Sequence, residues 1–494
     1  MVTSPTLDQI RNFEGKYPKQ LWYLFFTEMW ERFCFYGMRG VLTVFMASQL
    51  GMGEKAANLQ YGSIQAFVYA FTFIGGLFAD KILGFQRSLF WGGALMILGG
   101  FIIAVAPEDY FYIGICFNII GTGFFKPNIS TMVGQLYNEN DKRRDAGFGL
   151  FYAGINAGAL LGGYVMVEVG KHYSWSLCFA LVGLVMLVSL AIFAFTRKSL
   201  GPIGLSPLHP SVPMNKRRLM EIAVYVGSLL SIPLILLMVT NTQYTDLFMY
   251  IIGPATLVYL AWEMRTFTRE ENIKLLGALV FIFFSIVFWA FFEQSGGSLS
   301  LFALNNLKPD LFGWHIDPNV VNNSSNSFFV LLFSAPVGLF WLWLSKRKAE
   351  PNSVVKFGLG FLLLGAAFYV FKSTMQFASP DGITSLEVFT LAYFVITFGE
   401  LCLSPIGLSL MTKLSPTRIQ GLMMGMWFLA SAYGQYAAGL LGAGMSADDP
   451  NASNLEKLKL YTDGYGELGL YALIAGVILL AISPFVRKLM KGIH

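Results

Sequence analysis

The sequence predicts an all-α membrane protein with about fourteen transmembrane helices. Of its 494 residues, 55% are hydrophobic and only 13% are charged, whereas soluble globular chains carry about 25% charged residues. Runs of ~20 mostly apolar residues, the length that crosses a bilayer as a helix, recur along the whole chain. Membrane β-strands would alternate with a period of two over only ~10 residues. The class is therefore helical.

The apolar runs predict two six-helix bundles plus two extra helices. Six spans come first, at 21–49, 60–80, 88–106, 110–134, 147–169 and 174–195. A polar, proline-rich segment at 201–218 precedes two spans at 219–239 and 247–263. The last six lie at 274–293, 327–345, 354–373, 386–412, 420–445 and 466–486. Two such bundles are typical of transporters that rock around a site near the middle of the membrane.

We divide the chain accordingly. The parts are a cytoplasmic N-terminal segment at 1–20, an N-terminal six-helix bundle at 21–198, a linker with two additional helices at 199–273, and a C-terminal six-helix bundle at 274–494. The polar stretches 294–326 and 446–465 are expected to be the main external loops.

The distribution of basic residues predicts the topology. Most of the 34 Lys and Arg fall in alternate segments between the spans, for example at 142–144, 216–218 and 346–348. Cytoplasmic loops carry such an excess, so we expect both termini in the cytoplasm. Basic runs in short loops are topology signals, and we expect no nucleic-acid partner. The polar N-terminal segment shows no cleavable signal.

The most informative feature is a group of charges inside the first span. Glu28, Glu31 and Arg32 lie within five residues of an otherwise apolar run, and each charge at the bilayer centre costs ~2.5–3.5 kcal/mol or more. The ~100° turn per residue puts them on one face with Tyr36 and Arg39. One interpretation is a set of ion pairs that only lock helices together, although buried pairs often stabilise no better than apolar packing. So many charges favour a functional site.

Other spans supply possible partners for these charges. With ~1.5 Å of rise per residue, Arg32, Lys126 and Glu400 lie roughly 16, 12 and 18 Å above the cytoplasmic ends of their spans. Arg39 and Glu293 lie higher, at roughly 27 and 28 Å. Depth thus predicts an outer pair, Arg39 with Glu293, and an inner pair, Lys126 with Glu400. Two pairs at different depths suit gates that open alternately, each released by a proton or a charged substrate.

Short motifs follow one another along the predicted spans. They are Glu28-x-x-Glu31-Arg32-Phe33-x-x-Tyr36-Gly37, Gly75-Gly76-x-x-Ala79-Asp80-Lys81-x-x-Gly84, Gly123-x-x-Lys126-Pro127-Asn128, Phe151-x-x-x-Ile155-Asn156-x-Gly158, Phe288-Trp289-x-x-Phe292-Glu293-Gln294, Gly399-Glu400-x-x-x-Ser404-Pro405 and Trp427-Phe428. Together and in this order they resemble the bacterial-type proton-coupled oligopeptide transporters (POT/PTR) of the major facilitator superfamily, over nearly the whole chain. The resemblance implies the major facilitator fold in a bacterial inner membrane. It also implies proton-driven symport of di- and tripeptides into the cell by alternating access.

The resemblance implies roles for the matched residues. Arg32 and Lys126 would hold the carboxylate of the peptide and Glu400 its amino terminus. The other substrate-binding residues would be Tyr36, Tyr69, Asn156, Trp289, Asn326, Trp427 and Ser431. Glu28, Glu31 and Glu293 would be the proton-coupling carboxylates. The gating residues would be Arg39 with Glu293, Lys126 with Glu400, and Asp80 in a cytoplasmic loop.

The chain departs from the family pattern at two positions. Phe35 stands where many members carry tyrosine, which removes a hydroxyl from the pocket, and Ser327 follows Asn326 where the family usually has proline.

Three alternatives remain. A related member could be specialised for another solute, such as nitrate or a peptide-like drug, although Lys126, Glu400 and the complete first motif favour peptides. An intramembrane enzyme is disfavoured because the sequence has no HExxH or Gly-x-Ser-x-Gly motif. A channel fits two pairs of opposite charge less well than a gated carrier does. We expect no metal and no cofactor apart from the coupling proton, membrane lipid around the helices, and a monomer that suffices for transport.

Overall fold

A computed structural model describes residues 4–138, 141–403, 407–449 and 451–490. The α-helices, in chain order, are α1 Leu7–Arg11, α2 Lys19–Ser48, α3 Glu54–Phe78, α4 Phe85–Val105, α5 Pro107–Gln135, α6 Arg143–His172, α7 Trp175–Thr196, α8 Met214–Leu230, α9 Ile232–Thr240, α10 Thr242–Glu263, α11 Arg269–Phe292, α12 Ser298–Asn306, α13 Pro318–Lys346, α14 Ser353–Ser373, α15 Leu386–Leu403, α16 Gly407–Leu414, α17 Gln420–Gly444 and α18 Asn454–Met490.

Short irregular helices and one hairpin complete the secondary structure. A π-helical turn at Ala79–Leu83 extends α3, and a 3₁₀ turn at Glu293–Gly296 extends α11. Further 3₁₀ turns are Arg197–Leu200, Met264–Thr266, Thr374–Phe377 and Thr417–Ile419. Strands β1 (Asp310–Leu311) and β2 (Trp314–His315) pair antiparallel.

The predicted all-α membrane class is confirmed. Within the described ranges, 11 helical segments are long and apolar enough to cross a membrane. Three other predicted spans, α2, α5 and α17, are also long helices. Of these, α2 carries the intramembrane charges. The predicted span at 386–412 comprises α15 and α16. Ser404 and Pro405, which belong to one of the motifs, lie between them and outside the described residues.

Both predicted external loops contain more helix than we expected. The segment 294–326 includes α12, the β-hairpin and the start of α13, where Asp317 caps the helix by accepting a hydrogen bond from the Asn319 backbone N–H at 2.8 Å. In the segment 446–465, α18 already begins at Asn454. The loop predictions were wrong at these points because buried polar residues, such as Asn322, continue a helix beyond its apolar run.

The chain divides into two compact units. The first comprises Met1–Val41 with Phe67–Thr240, and the second comprises Leu42–Ala66 with Asn241–His494. Two continuous helices, α2 and α3, contribute residues to both units. Within the first unit α4 packs against α5 and α7, and within the second α14 packs against α15 and α18. The domain boundaries drawn from the sequence stay predictions.

The two additional spans predicted at 219–239 and 247–263 belong to different units. In the first unit, Trp91 Nε1 on α4 donates to Ser228 Oγ on α8 at 3.0 Å. In the second unit, the Tyr436 hydroxyl on α17 donates to Asp246 Oδ1 on α10 at 2.5 Å. The unit boundary therefore falls at the turn between α9 and α10, where one residue outside the helices, Asn241, caps α10.

Candidate functional site

The charges of α2 form one buried cluster. Only 3% of Glu28, 0% of Glu31 and 2% of Arg32 is exposed. Arg32 Nε lies 3.1 Å from Glu28 Oε1 and also pairs with Glu31. The single polar face predicted from the helical period is confirmed for these three residues. In the part of the chain that the structure describes, Glu28 Oε2, Glu31 Oε1 and Arg32 Nη2 have no hydrogen-bond partner.

These unsatisfied atoms leave the cluster able to bind a proton or an anion. A buried polar atom without a partner costs about 1–3 kcal/mol, and more if it is charged. A purely structural ion pair is expected to satisfy such atoms, because a half-satisfied polar network is worse than apolar packing. The cluster can therefore take up a proton on a carboxylate or an anionic group on Arg32 Nη2.

A second cation, Lys126 on α5, shares an aromatic surface with Arg32. The Phe35 ring centroid lies 5.2 Å from Arg32 Cζ and 5.1 Å from Lys126 Nζ. Lys126 Nζ also lies 4.1 Å from the centroid of Tyr69. Cations within ~6 Å of a ring centroid are attracted by its quadrupole. Two cations thus lie against one apolar ring beside Glu28 and Glu31, which suits a carboxylate carried by an organic molecule when one of these glutamates is protonated.

Glycines of α6 allow this close packing around α2. A Cβ on Gly158 would lie 2.1 Å from the Met29 carbonyl oxygen and 3.0 Å from Arg32 Cβ. A Cβ on Gly162 would lie 2.3 Å from the Phe33 carbonyl oxygen. The α6 backbone therefore approaches α2 so closely that a Cβ fits at neither position without movement. This close contact supports the turn that carries Arg32.

The other predicted residues of the first unit occupy varied surroundings. Asn156 is buried on α6 and its Nδ2 donates to the Tyr152 carbonyl oxygen at 3.0 Å. Arg39 Cζ lies 5.8 Å from the ring centroid of Tyr36. Asp80 is exposed on the π-helical turn. Their roles in binding and gating stay predictions.

In the second unit, Glu400 accepts a hydrogen bond from Asn326, which also bonds to Thr397. Asn326 Nδ2 on α13 donates to Glu400 Oε2 at 2.8 Å and to Thr397 Oγ1 at 3.2 Å. The structure thus brings together two of the predicted residues, Asn326 and Glu400. The sequence analysis missed Thr397. Its position three residues before Glu400, on the same helix face, is the signal that could have identified it.

The remaining predicted residues of this unit lie on α11 and α17. Glu293 is buried at the end of α11, one turn after Trp289. A Cβ on Gly434 would lie 2.7 Å from Trp289 Cβ, so α17 packs directly against Trp289. On α17 itself, Ser431 Oγ donates to the Trp427 carbonyl oxygen at 3.3 Å. Trp289, Trp427 and Ser431 are all half-buried.

The two predicted charge pairs each join residues of different units. Arg39 and Lys126 belong to the first unit, whereas Glu293 and Glu400 belong to the second. The pairing of Arg39 with Glu293 and of Lys126 with Glu400 stays a prediction.

A further buried carboxylate was missed because it lies at the very start of a span. Glu54 begins α3 and belongs to the second unit. Lys457 Nζ lies 2.9 Å from Glu54 Oε1, Asn305 Nδ2 donates to the same oxygen at 2.8 Å, and the Tyr461 hydroxyl donates to Oε2. The cluster joins the start of α3 to α12 and α18, away from the predicted substrate residues in sequence.

Comparisons with known proteins agree along almost the whole length of the chain. A family model described as the POT family matches residues 86–455. The chain is 33% identical over 518 residues to the peptide transporter YePEPT of Yersinia enterocolitica, covering 100% of this chain and 99% of that protein. It is 32% identical over 497 residues to a di-/tripeptide transporter of Lactococcus lactis subsp. cremoris, covering 97% of each. A crystal structure of a peptide transporter POT in complex with sulfate is 33% identical, has a TM-score of 0.84 and covers 99% of this chain and 100% of that chain.

Proposed function

This chain belongs to the POT family, and from that premise we propose that it imports di- and tripeptides in symport with protons. It is a multi-pass protein of the bacterial inner membrane, not an enzyme. The excess of Lys and Arg between alternate spans supports cytoplasmic termini. A monomer of this chain, surrounded by membrane lipid and with no cofactor beyond the coupling proton, is sufficient in this proposal.

The observation that carries the proposal is the buried cluster of Glu28, Glu31 and Arg32 beside Lys126. Arg32 Nη2 is a buried donor without a partner in the described chain, and Lys126 lies over the same Phe35 ring as Arg32. Hydrogen bonds from cations to carboxylates are about twice as strong as neutral ones. Arg32 and Lys126 would therefore hold the carboxylate of the peptide.

The opposite end of the peptide would bind in the second unit. Glu400, held by Asn326, is an acceptor suited to a protonated amino group. A di- or tripeptide is a zwitterion whatever its side chains, so recognition of its two ends tolerates many sequences. The half-buried aromatic residues Tyr36, Tyr69, Trp289 and Trp427 would contact its side chains. Asn156 and Ser431 would complete the pocket.

Proton coupling would act through the carboxylates. While Glu28 and Glu31 are ionised, they attract Arg32 and compete with a substrate carboxylate for it. Protonation of one of them weakens that competition, so Arg32 binds the peptide more strongly. The same logic would apply to Glu293 in its predicted pair with Arg39 at the outer gate. At the inner gate, the charged ends of the peptide would compete for Lys126 and Glu400, and Asp80 would act in the adjoining cytoplasmic loop.

Uptake by the purified protein in liposomes tests the proposal. Dialanine should accumulate when an inward proton gradient is imposed and should only equilibrate without one. No uptake of dialanine, or uptake that the gradient does not change, would refute proton–peptide symport. Uptake of nitrate in its place would instead indicate the family member specialised for another solute.

A single substitution separates coupling from binding. Glu31→Gln should abolish gradient-driven uptake of dialanine, because the amide cannot release a proton, while exchange of dialanine across the membrane continues. Glu467→Gln, which changes an exposed glutamate of α18, is the matched control and should leave both unchanged. Equal loss of uptake and exchange in Glu31→Gln would indicate a structural role.

A further inference from the structure

Thr397 lies fully buried on α15 beside two predicted substrate residues. Its hydroxyl donates to the Tyr393 carbonyl oxygen at 2.7 Å. The same oxygen, Oγ1, accepts a hydrogen bond from Asn326 Nδ2 at 3.2 Å, and Asn326 Nδ2 also donates to Glu400 Oε2 at 2.8 Å. Thr397, Asn326 and Glu400 therefore form one hydrogen-bonded network between α13 and α15.

The chemistry of these groups determines the orientation of the Asn326 amide. A threonine hydroxyl has a single proton, and here the Tyr393 carbonyl oxygen receives it. Thr397 can then only accept a hydrogen bond from Asn326, and an ionised Glu400 also only accepts. Both neighbours select the NH₂ group of Asn326 and exclude its carbonyl oxygen. Asn326 Oδ1 is left as an acceptor for a ligand.

The same turn of α15 is held from a second side. The Tyr393 hydroxyl donates to Asn322 Oδ1 at 2.6 Å, and Asn322 Nδ2 donates to the Ser295 carbonyl oxygen at 2.8 Å. Ser295 belongs to the 3₁₀ turn that begins with Glu293. Hydrogen bonds from neighbouring residues that fix the geometry of a binding group are a general requirement of a preorganised site. The contacts of Tyr393 and Thr397 supply such support for Glu400.

We propose that Thr397 is a positioning residue for peptide binding, which orients Asn326 so that Glu400 and Asn326 Oδ1 together accept the protonated amino group of the peptide. An ammonium group has three donors, so it can use both acceptors at once. Thr397 itself does not touch the substrate. The inference rests on the proposed function, since it requires that Glu400 binds the amino terminus.

Isosteric substitution of Thr397 provides the test. Thr397→Val removes the hydroxyl and retains the shape, so the Asn326 amide loses one of the two acceptors that orient it. We expect the dialanine concentration for half-maximal exchange in liposomes to rise about five-fold, the effect of one net hydrogen bond, with the maximal rate largely unchanged. Thr397→Ser, which keeps the hydroxyl, should behave as the wild type. Thr390→Val is the matched control, since Thr390 Oγ1 on the same helix makes the same type of bond, to the Leu386 carbonyl oxygen at 2.8 Å.

A double-mutant cycle separates positioning from a general structural effect. In a Glu400→Gln background, Thr397→Val should raise the half-maximal concentration no further, because both changes act on the same interaction. If Thr397→Val proves poorly folded, Thr397→Ala removes the same hydroxyl and takes its place in the cycle. Additive effects of the two substitutions, or the same effect in Thr390→Val and Thr397→Val, would overturn the inference.

The outcomes also separate this inference from the proposed function. Wild-type protein that transports no dialanine refutes the proposed function. Wild-type protein that transports dialanine, with Glu400→Gln impaired and Thr397→Val unimpaired, refutes only the role of Thr397.

Discussion

Replacement of Gly158 by alanine should disturb the buried charge cluster from outside it. The new Cβ would lie 2.1 Å from the Met29 carbonyl oxygen, whereas ordinary contacts begin at 3.4 Å. This contact is about 1.3 Å too short (3.4 − 2.1 Å), and because the blocking atom belongs to the backbone, the α2 and α6 backbones must shift at this point. Overpacking of this kind costs about 1–3 kcal/mol. Arg32 moves with α2, since its Cβ would also be 3.0 Å from the new methyl group.

The expected result has two parts, one on stability and one on transport. Gly158→Ala should lower the melting temperature of the purified protein. A misplacement of ~1 Å can reduce the rate at an enzyme site about 100-fold, and we expect gradient-driven uptake of dialanine to fall at least about ten-fold. Both would be measured on protein in liposomes, with the amount of folded protein determined for each variant.

A control on the same helix makes this prediction refutable. A Cβ on Gly149 of α6 meets nothing within 4 Å. Gly149→Ala should leave uptake unchanged and stabilise the helix by about 0.5–1 kcal/mol, because alanine loses less conformational freedom on folding. Wild-type uptake and melting temperature in Gly158→Ala would show that the close approach of α2 and α6 does not position the cluster.

Two further substitutions test buried polar contacts outside the proposed binding site. Lys457→Met should destabilise the protein by roughly 1–3 kcal/mol, because it leaves the buried Glu54 carboxylate without its cation. Thermal unfolding should show a lower melting temperature, and Lys459→Met, at an exposed position of the same helix, should not change it. Tyr436→Phe removes the donor to Asp246 and should cost about 1–3 kcal/mol, whereas Tyr471→Phe at an exposed position should have no effect. An unchanged melting temperature in either test variant would show that the contact contributes nothing to stability.

The long helices were predictable because each must keep its backbone hydrogen bonds internal and its surface apolar across a membrane. Predictions failed where polar residues continue a helix into the interior of the protein. Asn322 and Asn326 fall in a predicted loop, yet they lie on α13 and form hydrogen bonds with neighbouring elements. A single sequence does not show which asparagines form hydrogen bonds with other elements. For the same reason Glu54, which lies before the predicted span at 60–80, was not identified from the sequence.

The candidate site was predictable in part. The common face of Glu28, Glu31 and Arg32 follows from the period of one helix, which is a local property of the chain. Contacts between helices do not follow from that period. Lys126 shares the Phe35 ring with Arg32 only because α5 packs beside α2. Thr397 was missed because its spacing from Glu400 indicates a shared helix face but does not show that its hydroxyl meets Asn326.

The sequence by itself determined that this protein spans a membrane as helices, that charges lie inside those helices, and that its motifs are those of a peptide transporter. These are consequences of composition, local period and motif order. Tertiary structure decided which buried groups are satisfied. It brings Arg32 and Lys126 to one ring, and it leaves Arg32 Nη2 without a partner among the described residues. It also supplies the Asn326 side chain that donates to Glu400. The physical reason is that satisfaction of a buried charge depends on atoms brought together from distant parts of the chain, within the few ångströms over which hydrogen bonds act.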